Sequence, residues 1–408
     1  MCCSIYPEQA KRYKTTDKNS YIGERKIDMK VIIAATGTGG HINPGIAIAN
    51  KIKKEEPDSE ILFIGTGRGL EKDLVPRANY KLETIDAYGM ERKFTVDNLK
   101  KLYKTFRSVS QAEEIIENFK PDIIIGTGGY ICLPVARAAM KKYVPVILHE
   151  SNAFPGMAVK LLSQKVNKVL VGFEDTKDRL KYKENVVVTG TPTKIKNLHL
   201  SKAEKESKKM NLGFDEEMPL VLIFGGSQGA QSINTAMQEI IEKHMNKKYQ
   251  IVWATGQEQY DKLKSTFAEE KLNIESLENS KIMPYIYDME EMMNCADLVI
   301  CRSGAMTITE IAKLGKPAIF VPYPYATENH QEYNARVLEK IKAANIILDK
   351  DLTATKLNTM VNDMIKDRAE LEMMGSRAEK NSIGNVESLI YREIKDVIQK
   401  NKAMVVKK

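Results

Sequence analysis

Four stretches of the chain repeat one grammar: a short β-branched run, a glycine turn, then a helical pattern. They are "MKVIIAATGTGGH" from Met29, "PDIIIGTGGY" over 121–130, "PLVLIFGGSQGAQS" over 219–232 and "ADLVICRSGAMTITE" over 296–310. Continuous apolar strands, as opposed to alternating ones, are covered on both faces, and strands that alternate with helices build parallel sheets. Two of the units fall in each half of the 408 residues, a length too great for one ordinary core. The pattern predicts an α/β chain with two doubly wound domains facing each other across a cleft. Ligands in such sheets bind at the carboxyl ends of strands, where these glycine turns lie.

The join is expected near "VVVTGTPTKIKN" (186–197), dividing the chain into domains 29–192 and 193–385. A final helix over about 386–400 can cross back onto the first domain. Residues 1–28 are polar, lack periodicity and precede a second methionine, Met29; they read as a disordered extension or a matter of start-site choice. The lysine-rich stretch 201–214 reads as a solvated helix. No apolar run approaches the roughly 18 residues of a spanning helix, and the first residues lack the apolar core of a secretory signal, so a cytosolic chain is expected. The five cysteines form no C-x-x-C pair and are read as reduced thiols. A net charge of +8 suits an anionic ligand or membrane surface and is too diffuse to argue for nucleic acid.

The turns carry the chemistry. A glycine turn that opens a helix presents free amides and a positive dipole end to phosphate. In "GGSQGA", Gly225 and Gly226 permit close approach and Ser227 adds a hydroxyl; alone, the stretch is equally a tight turn with an N-cap. "RSGAMTITE" has the same logic with Ser303 as cap, and Glu310 lies two helical turns beyond, placed to accept ribose hydroxyls. In "YATENHQEYNA", Gln331 and Asn334 share a helix face and offer the paired donors and acceptors that a sugar requires. His41 ends the first glycine loop, where a general base would stand. Of five histidines, His41, His149 and His330 fall in expected strand-end loops. Pro44 is expected in the first turn of the following helix, where a missing N–H costs nothing.

Other signals are weaker. Asp349 and Asp351 have D-x-D spacing, but their setting reads as a turn with a helix cap. No zinc spacing, P-loop or G-x-G-x-x-G occurs. Over 91–109, Leu99, Leu102, Tyr103 and Phe106 form one helical face, with Lys100, Lys101, Lys104 and Arg107 largely on others. Two readings stand for it: a helix lying on an anionic membrane, or one packed on the core with a solvated basic rim.

In this order, "TGTGGHINP", "GTGGY", "HESN", "GTPTK", "GGSQGA", "CRSGAMTITE" and "HQEYNA" resemble the bacterial peptidoglycan glycosyltransferases that make lipid II, from about Met29 to the final helix. The resemblance implies a GT-B fold, two Rossmann-like domains with a deep cleft. It implies inverting transfer of N-acetylglucosamine from UDP-GlcNAc to the muramoyl C4 hydroxyl of lipid I, at the cytoplasmic face of the membrane. By analogy the second domain holds the donor. The backbone near Ile286 and at Ala305, Met306 and Thr307 would face uracil and phosphates, and Gly226 and Ser227 the diphosphate. Glu310 would take the ribose, His330, Gln331 and Asn334 the sugar, and Lys194 the departing diphosphate. The acceptor would meet Thr38, Gly39, Gly40, Tyr130 and Asn152, with His41 as base. No tightly bound metal and no nucleic acid are implied. The chain departs from the family pattern at Thr36 (usually glycine), Ser151, Lys194 and Glu328. Lysine cannot make the bidentate phosphate contact of arginine. The competing readings are a related sugar transferase acting on diacylglycerol and a non-catalytic UDP-sugar-binding subunit; a nicotinamide oxidoreductase comes third, for want of its glycine fingerprint.

Overall fold

The computed structural model describes residues 29–89, 96–226 and 228–406. The extension 1–28 and Ser227 lie outside the described residues, as do residues 91–95 of the basic stretch and the side chains of its stripe from Leu99 to Phe106. The backbone there is helical, within Val96–Phe119.

The β-branched runs assemble into two parallel sheets. The first has seven strands: β1 (Lys30–Ala35), β2 (Glu60–Gly65), β3 (Lys81–Thr84), β4 (Ile123–Gly128), β5 (Val146–Glu150), β6 (Lys168–Val171) and β7 (Val186–Val188), in the order β3-β2-β1-β4-β5-β6-β7. The second has six: β8 (Leu220–Phe224), β9 (Gln250–Ala254), β10 (Ser280–Met283), β11 (Leu298–Cys301), β12 (Ala318–Phe320) and β13 (Ala344–Ile346), in the order β10-β9-β8-β11-β12-β13. Strand order reverses between β1 and β4 in one sheet and between β8 and β11 in the other. These are the four strands of the repeated unit, so every glycine turn singled out in the sequence stands at a switch point. Successive residues feed opposite layers: Val31, Ile33 and Ala35 join one core cluster, Ile32 and Ala34 the other. Both faces are covered, as the unbroken apolar runs require.

The chain crosses between the sheets after β7 and returns ahead of a final helix, Val386–Val406. Its Ile390, Ile394, Val397 and Ile398 are buried in the same cluster as Val31 and Ile33, so it is a layer of the first domain. The two crossings touch: a methyl group added at Gly190 would come within 2.8 Å of Val386 and 3.1 Å of Ile383. Lys168 pairs with Glu393 and Asp396, and Tyr391 donates to Glu56 at 2.7 Å, with Lys395 on the same oxygen. Glu56 and Glu393 are buried, so the attraction in these pairs is largely offset by lost hydration, and the buried isoleucines do more.

The first helix spans Gly39–Glu55, so Pro44 lies in its second turn, where the absent N–H leaves the Gly40 carbonyl without its usual donor. The helix starts early because the Thr38 carbonyl already accepts from the amides of His41 (3.0 Å) and Ile42 (3.2 Å). Ser303 does not cap: the N-cap of helix Ala305–Lys313 is Gly304, and the Ser303 hydroxyl donates instead to the Gln331 carbonyl at 2.8 Å. Asp349–Asp351 is a turn, but the cap beyond it is Thr353, accepting from Lys356 N. The lysine-rich helix, Lys202–Asn211, is opened by a Ser201–Glu204 capping box; its Lys209 is buried against Asp297 at 2.8 Å. Cys132, Cys295 and Cys301 are buried and unpaired in disulfides; Cys2 and Cys3 fall within the undescribed extension.

Glu71, which the sequence pattern did not mark, ties the ends of β1 and β2 together with no exposed surface. Its carboxylate accepts from Thr36 Oγ1 (2.7 Å), Thr66 Oγ1 (2.8 Å), Thr66 N (3.1 Å), Gly37 N (3.1 Å) and Gly69 N (3.3 Å). Burial pushes its pKa up, but these donors outweigh burial and hold it at about 2, below the ordinary 4.5. Stability from this carboxylate is therefore complete above the unfolded value near 4.5 and is lost as pH falls toward about 2. Acid titration of the far-UV circular dichroism should show that loss, and Glu71→Gln should remove its share of the pH dependence. Ile394→Ala, emptying a fully buried site, should cost about 2–5 kcal/mol. Denaturant unfolding should show it in the first-domain transition. The emission of the sole tryptophan, Trp253, buried in the second domain, should shift little.

Candidate active site

The first domain presents the loop after β1. The Thr36 carbonyl lies 3.0 Å from His41 Nδ1, and His41 itself stands in the first turn of helix Gly39–Glu55. The amides of Gly39 and Gly40 open that helix and have no acceptor within it. Beneath the imidazole lies Gly128, with φ of +132°, where a methyl group would collide with His41 Cδ2 at 2.3 Å. Only glycine permits both that backbone and that contact. Thr127 Oγ1 donates to the His41 carbonyl at 2.8 Å, so β4 holds both faces of the residue. Tyr130 stands half-exposed beside it, against Gly89.

His149 is not in a loop. It belongs to β5, is 1% exposed, and its Nε2 pairs with the Gly190 carbonyl at 3.0 Å. Burial holds its pKa below the ordinary histidine value against the opposing Gly190 carbonyl and Glu150. It is a neutral structural group. Glu150 shapes the loop that follows, accepting from Asn152 N (3.0 Å), Asn152 Nδ2 (3.0 Å) and Gly156 N (2.7 Å).

That loop meets the second domain through Asn334, which has no exposed surface. Asn334 Oδ1 accepts from Ala153 N at 2.8 Å, and its Nδ2 donates to Asn152 Oδ1 and to the Ser303 carbonyl, both at 3.2 Å. Asn152 and Asn334, assigned by analogy to acceptor and donor sugar, are thus bonded to each other across the two domains. Around them Phe154 stacks on Tyr333 at 4.6 Å, Lys160 lies 3.9 Å from the Phe154 ring centre, and Lys160 faces Glu328 at 3.9 Å.

In the second domain, Gly226 is exposed with open space around its α-carbon, ahead of helix Gln231–Glu242. Ala305, Met306 and Thr307 form the first turn of helix Ala305–Lys313, their amides directed out of its N-terminus. Gln331 Oε1 accepts from Ser303 N (3.2 Å) and Tyr323 N (3.0 Å), locking the loops after β11 and β12 together. Glu310 Oε1 accepts from Thr193 Oγ1 at 2.9 Å, a contact the sequence did not suggest. Burial pushes its pKa up, while Thr193 and Lys313 pull it back. Ile286 is buried between the exposed Tyr285 and Tyr287, and Lys194 is exposed beside Thr193. Asp349 is committed to Arg302 (2.5 Å) and Ser232 (2.6 Å), which answers the D-x-D spacing with an ion pair. Burial lowers the pKa of His330. The Thr327 carbonyl at 2.7 Å and Glu150 oppose that, and the charge of His41 adds to it.

Glu150, Thr193 and Arg302 lie inside the stretches "HESN", "GTPTK" and "CRSGAMTITE" but were given no role there, and Glu71 lies outside every quoted stretch, its partners Thr36 and Gly37 being 35 and 34 positions away.

Residues 31–171 match the model of the glycosyltransferase family 28 N-terminal domain, and residues 220–390 that of its C-terminal domain. The UDP-N-acetylglucosamine--N-acetylmuramyl-(pentapeptide) pyrophosphoryl-undecaprenol N-acetylglucosamine transferase of Acetivibrio thermocellus is 45% identical over 92% of this chain and 100% of its own. The protein of the same name from Clostridioides difficile is 41% identical over 93% and 92%. The crystal structure of Acinetobacter baumannii MurG is similar over 91% of this chain and 99% of that one, at 26% identity and a TM-score of 0.72. A UDP-GlcNAc 2-epimerase from Neisseria meningitidis shares the fold alone, at 16% identity and a TM-score of 0.61. With two Rossmann-like parallel sheets and relatives of this identity along nearly its whole length, the chain belongs to glycosyltransferase family 28, in the family of N-acetylglucosamine transferases that make lipid II.

Proposed function

We infer that the chain transfers N-acetylglucosamine from UDP-GlcNAc to the C4 hydroxyl of the muramoyl residue of lipid I, with inversion, giving lipid II. The observation that carries the reading is the contact between the domains at strand ends. Asn334, in the helix after β12, bonds Asn152 of the loop after β5 and the Ser303 carbonyl of the loop after β11.

The chemistry assigns each side one task. His41 Nε2 takes the proton of the acceptor hydroxyl as its oxygen bonds to the anomeric carbon. The bond from that carbon to the diphosphate breaks on the opposite face, and UDP leaves with the electron pair. Amides at Ala305, Met306 and Thr307, the turn at Gly226 and Ser227, and Lys194 meet the developing charge. No resident metal is called on. Glu310 accepts the ribose hydroxyls, the backbone at Ile286 faces uracil, and His330 and Gln331 line the sugar. Asn334 reaches the sugar only from a position it shares with Asn152. The acceptor diphosphate approaches the amides after Thr38, at Gly39 and Gly40, flanked by Tyr130.

A lipid-borne acceptor places the enzyme at the cytoplasmic face of the membrane as a peripheral protein. Among the described residues no helix is long and apolar enough to cross a membrane. By its sequence pattern, the basic helix from Val96 is the contact with the anionic surface.

Transfer of radiolabelled N-acetylglucosamine from UDP-GlcNAc to a lipid I analogue tests the reading. Glu310→Gln, losing a charged hydrogen bond, should raise the donor KM about tenfold or more and leave kcat nearly unchanged. His41→Ala should lower kcat by about 10²–10⁴ with the donor KM little changed. Donor binding without transfer to that acceptor would overturn the assignment to lipid II formation.

A further inference from the structure

His41 does not stand alone. A backbone carbonyl can only accept, so its 3.0 Å contact with Thr36 O makes Nδ1 the protonated nitrogen and leaves the Nε2 lone pair free, the tautomer a base needs. The Thr36 carbonyl belongs to the Thr36–Gly37 peptide group, whose N–H, on the opposite edge of the same plane, donates to Glu71 Oε2 at 3.1 Å. A trans peptide is planar, so fixing the N–H on one edge aims the C=O from the other. The neighbouring Gly37, with φ of +94°, has no side chain to stop that plane from flipping. Thr36 is held a second time through its hydroxyl, 2.7 Å from Glu71 Oε1, and its methyl and carbonyl fill the space a side chain on Gly129 would need.

We propose that Glu71 is the positioning residue for His41, acting through the Thr36–Gly37 peptide plane, with the Thr36 hydroxyl as its second hold. Thr36 stands where the family pattern carries glycine, so this second hold is a feature of the present chain. The inference rests on His41 as base and deepens that reading. Glu71 touches no substrate in it; it sets the tautomer and aim of the group that does.

The test uses the full chain labelled with ¹⁵N-histidine, the His41 ring signals being assigned by their loss in His41→Ala. The wild type should show Nδ1 protonated and Nε2 bare. In Glu71→Gln, whose amide cannot accept from every donor around it, the His41 signals should move toward a mixture of tautomers. The kcat for transfer to the lipid I analogue should fall about 10–100-fold, with the donor KM unchanged. In a His41→Ala background, Glu71→Gln should cost no further kcat, because residues acting as one unit are not additive. Thr36→Val, which removes one hydroxyl and keeps the shape, should move the same signals by less and serves if Glu71→Gln fails to fold. An unchanged His41 tautomer in both variants, or a full further loss of kcat in the His41→Ala background, overturns the relay. A wild-type rate in His41→Ala overturns the base reading; the spectrum of Glu71→Gln reports on the relay separately.

Discussion

A parallel strand covered by helices on both faces exposes no side chain along its length, so an enzyme built from such strands must place its chemistry at their ends. The placing of the glycine turns follows from that constraint. In each sheet the strand order reverses once, between β1 and β4 and between β8 and β11. The helices leaving those strands diverge to opposite faces and open a crevice between them. Glycine is needed at these points because backbone and imidazole are brought into direct contact, as at Gly128 under His41.

Two sheets with two crevices do not yet make a transferase. Donor and acceptor must meet, and at the centre of the contact between the halves is a buried amide, ringed by the Phe154–Tyr333 stack and the Lys160–Glu328 pair. Asn334 satisfies its oxygen on one domain's backbone and divides its nitrogen between the two domains. A buried amide so fully engaged is costly to leave unpaired, so separating the halves exposes it to water or leaves it wanting. The same contact that closes the site is therefore sensitive to whatever enters it. Sugar hydroxyls and the facing asparagine are chemically interchangeable partners for this side chain.

The sheets were legible in the sequence because their signal is local: four apolar runs, each ended by glycine, are enough to identify the strands beside both switch points. Polar connectivity was not legible. Glu71 reads as an ordinary helix residue in "GLEKDLVP", and only the fold reveals that its partners, Thr36 and Gly37, are 35 and 34 positions away. Ala153 and Asn334 are 181 positions apart. Ser303 had the composition of a cap, yet the loop after β11 had a better use for its hydroxyl. His149 had the look of a site residue because it ends an apolar strand, but the strand runs on through it and burial keeps it neutral. Each misreading concerns a side chain whose partner lies on another element, information that no window along the chain contains.

The two passages of chain between the domains run side by side, with Gly190 of one packed against Ile383 and Val386 of the other. A single connector would let one domain swivel freely on its partner. A doubled connector cannot turn about its own length without winding one passage around the other. The least obstructed movement is a bend across the pair, like a page turning on its spine, which parts the strand ends while keeping them facing. Reopening the cleft would then return the same loops to the same register at every turnover, with the C-terminal helix serving as the binding edge.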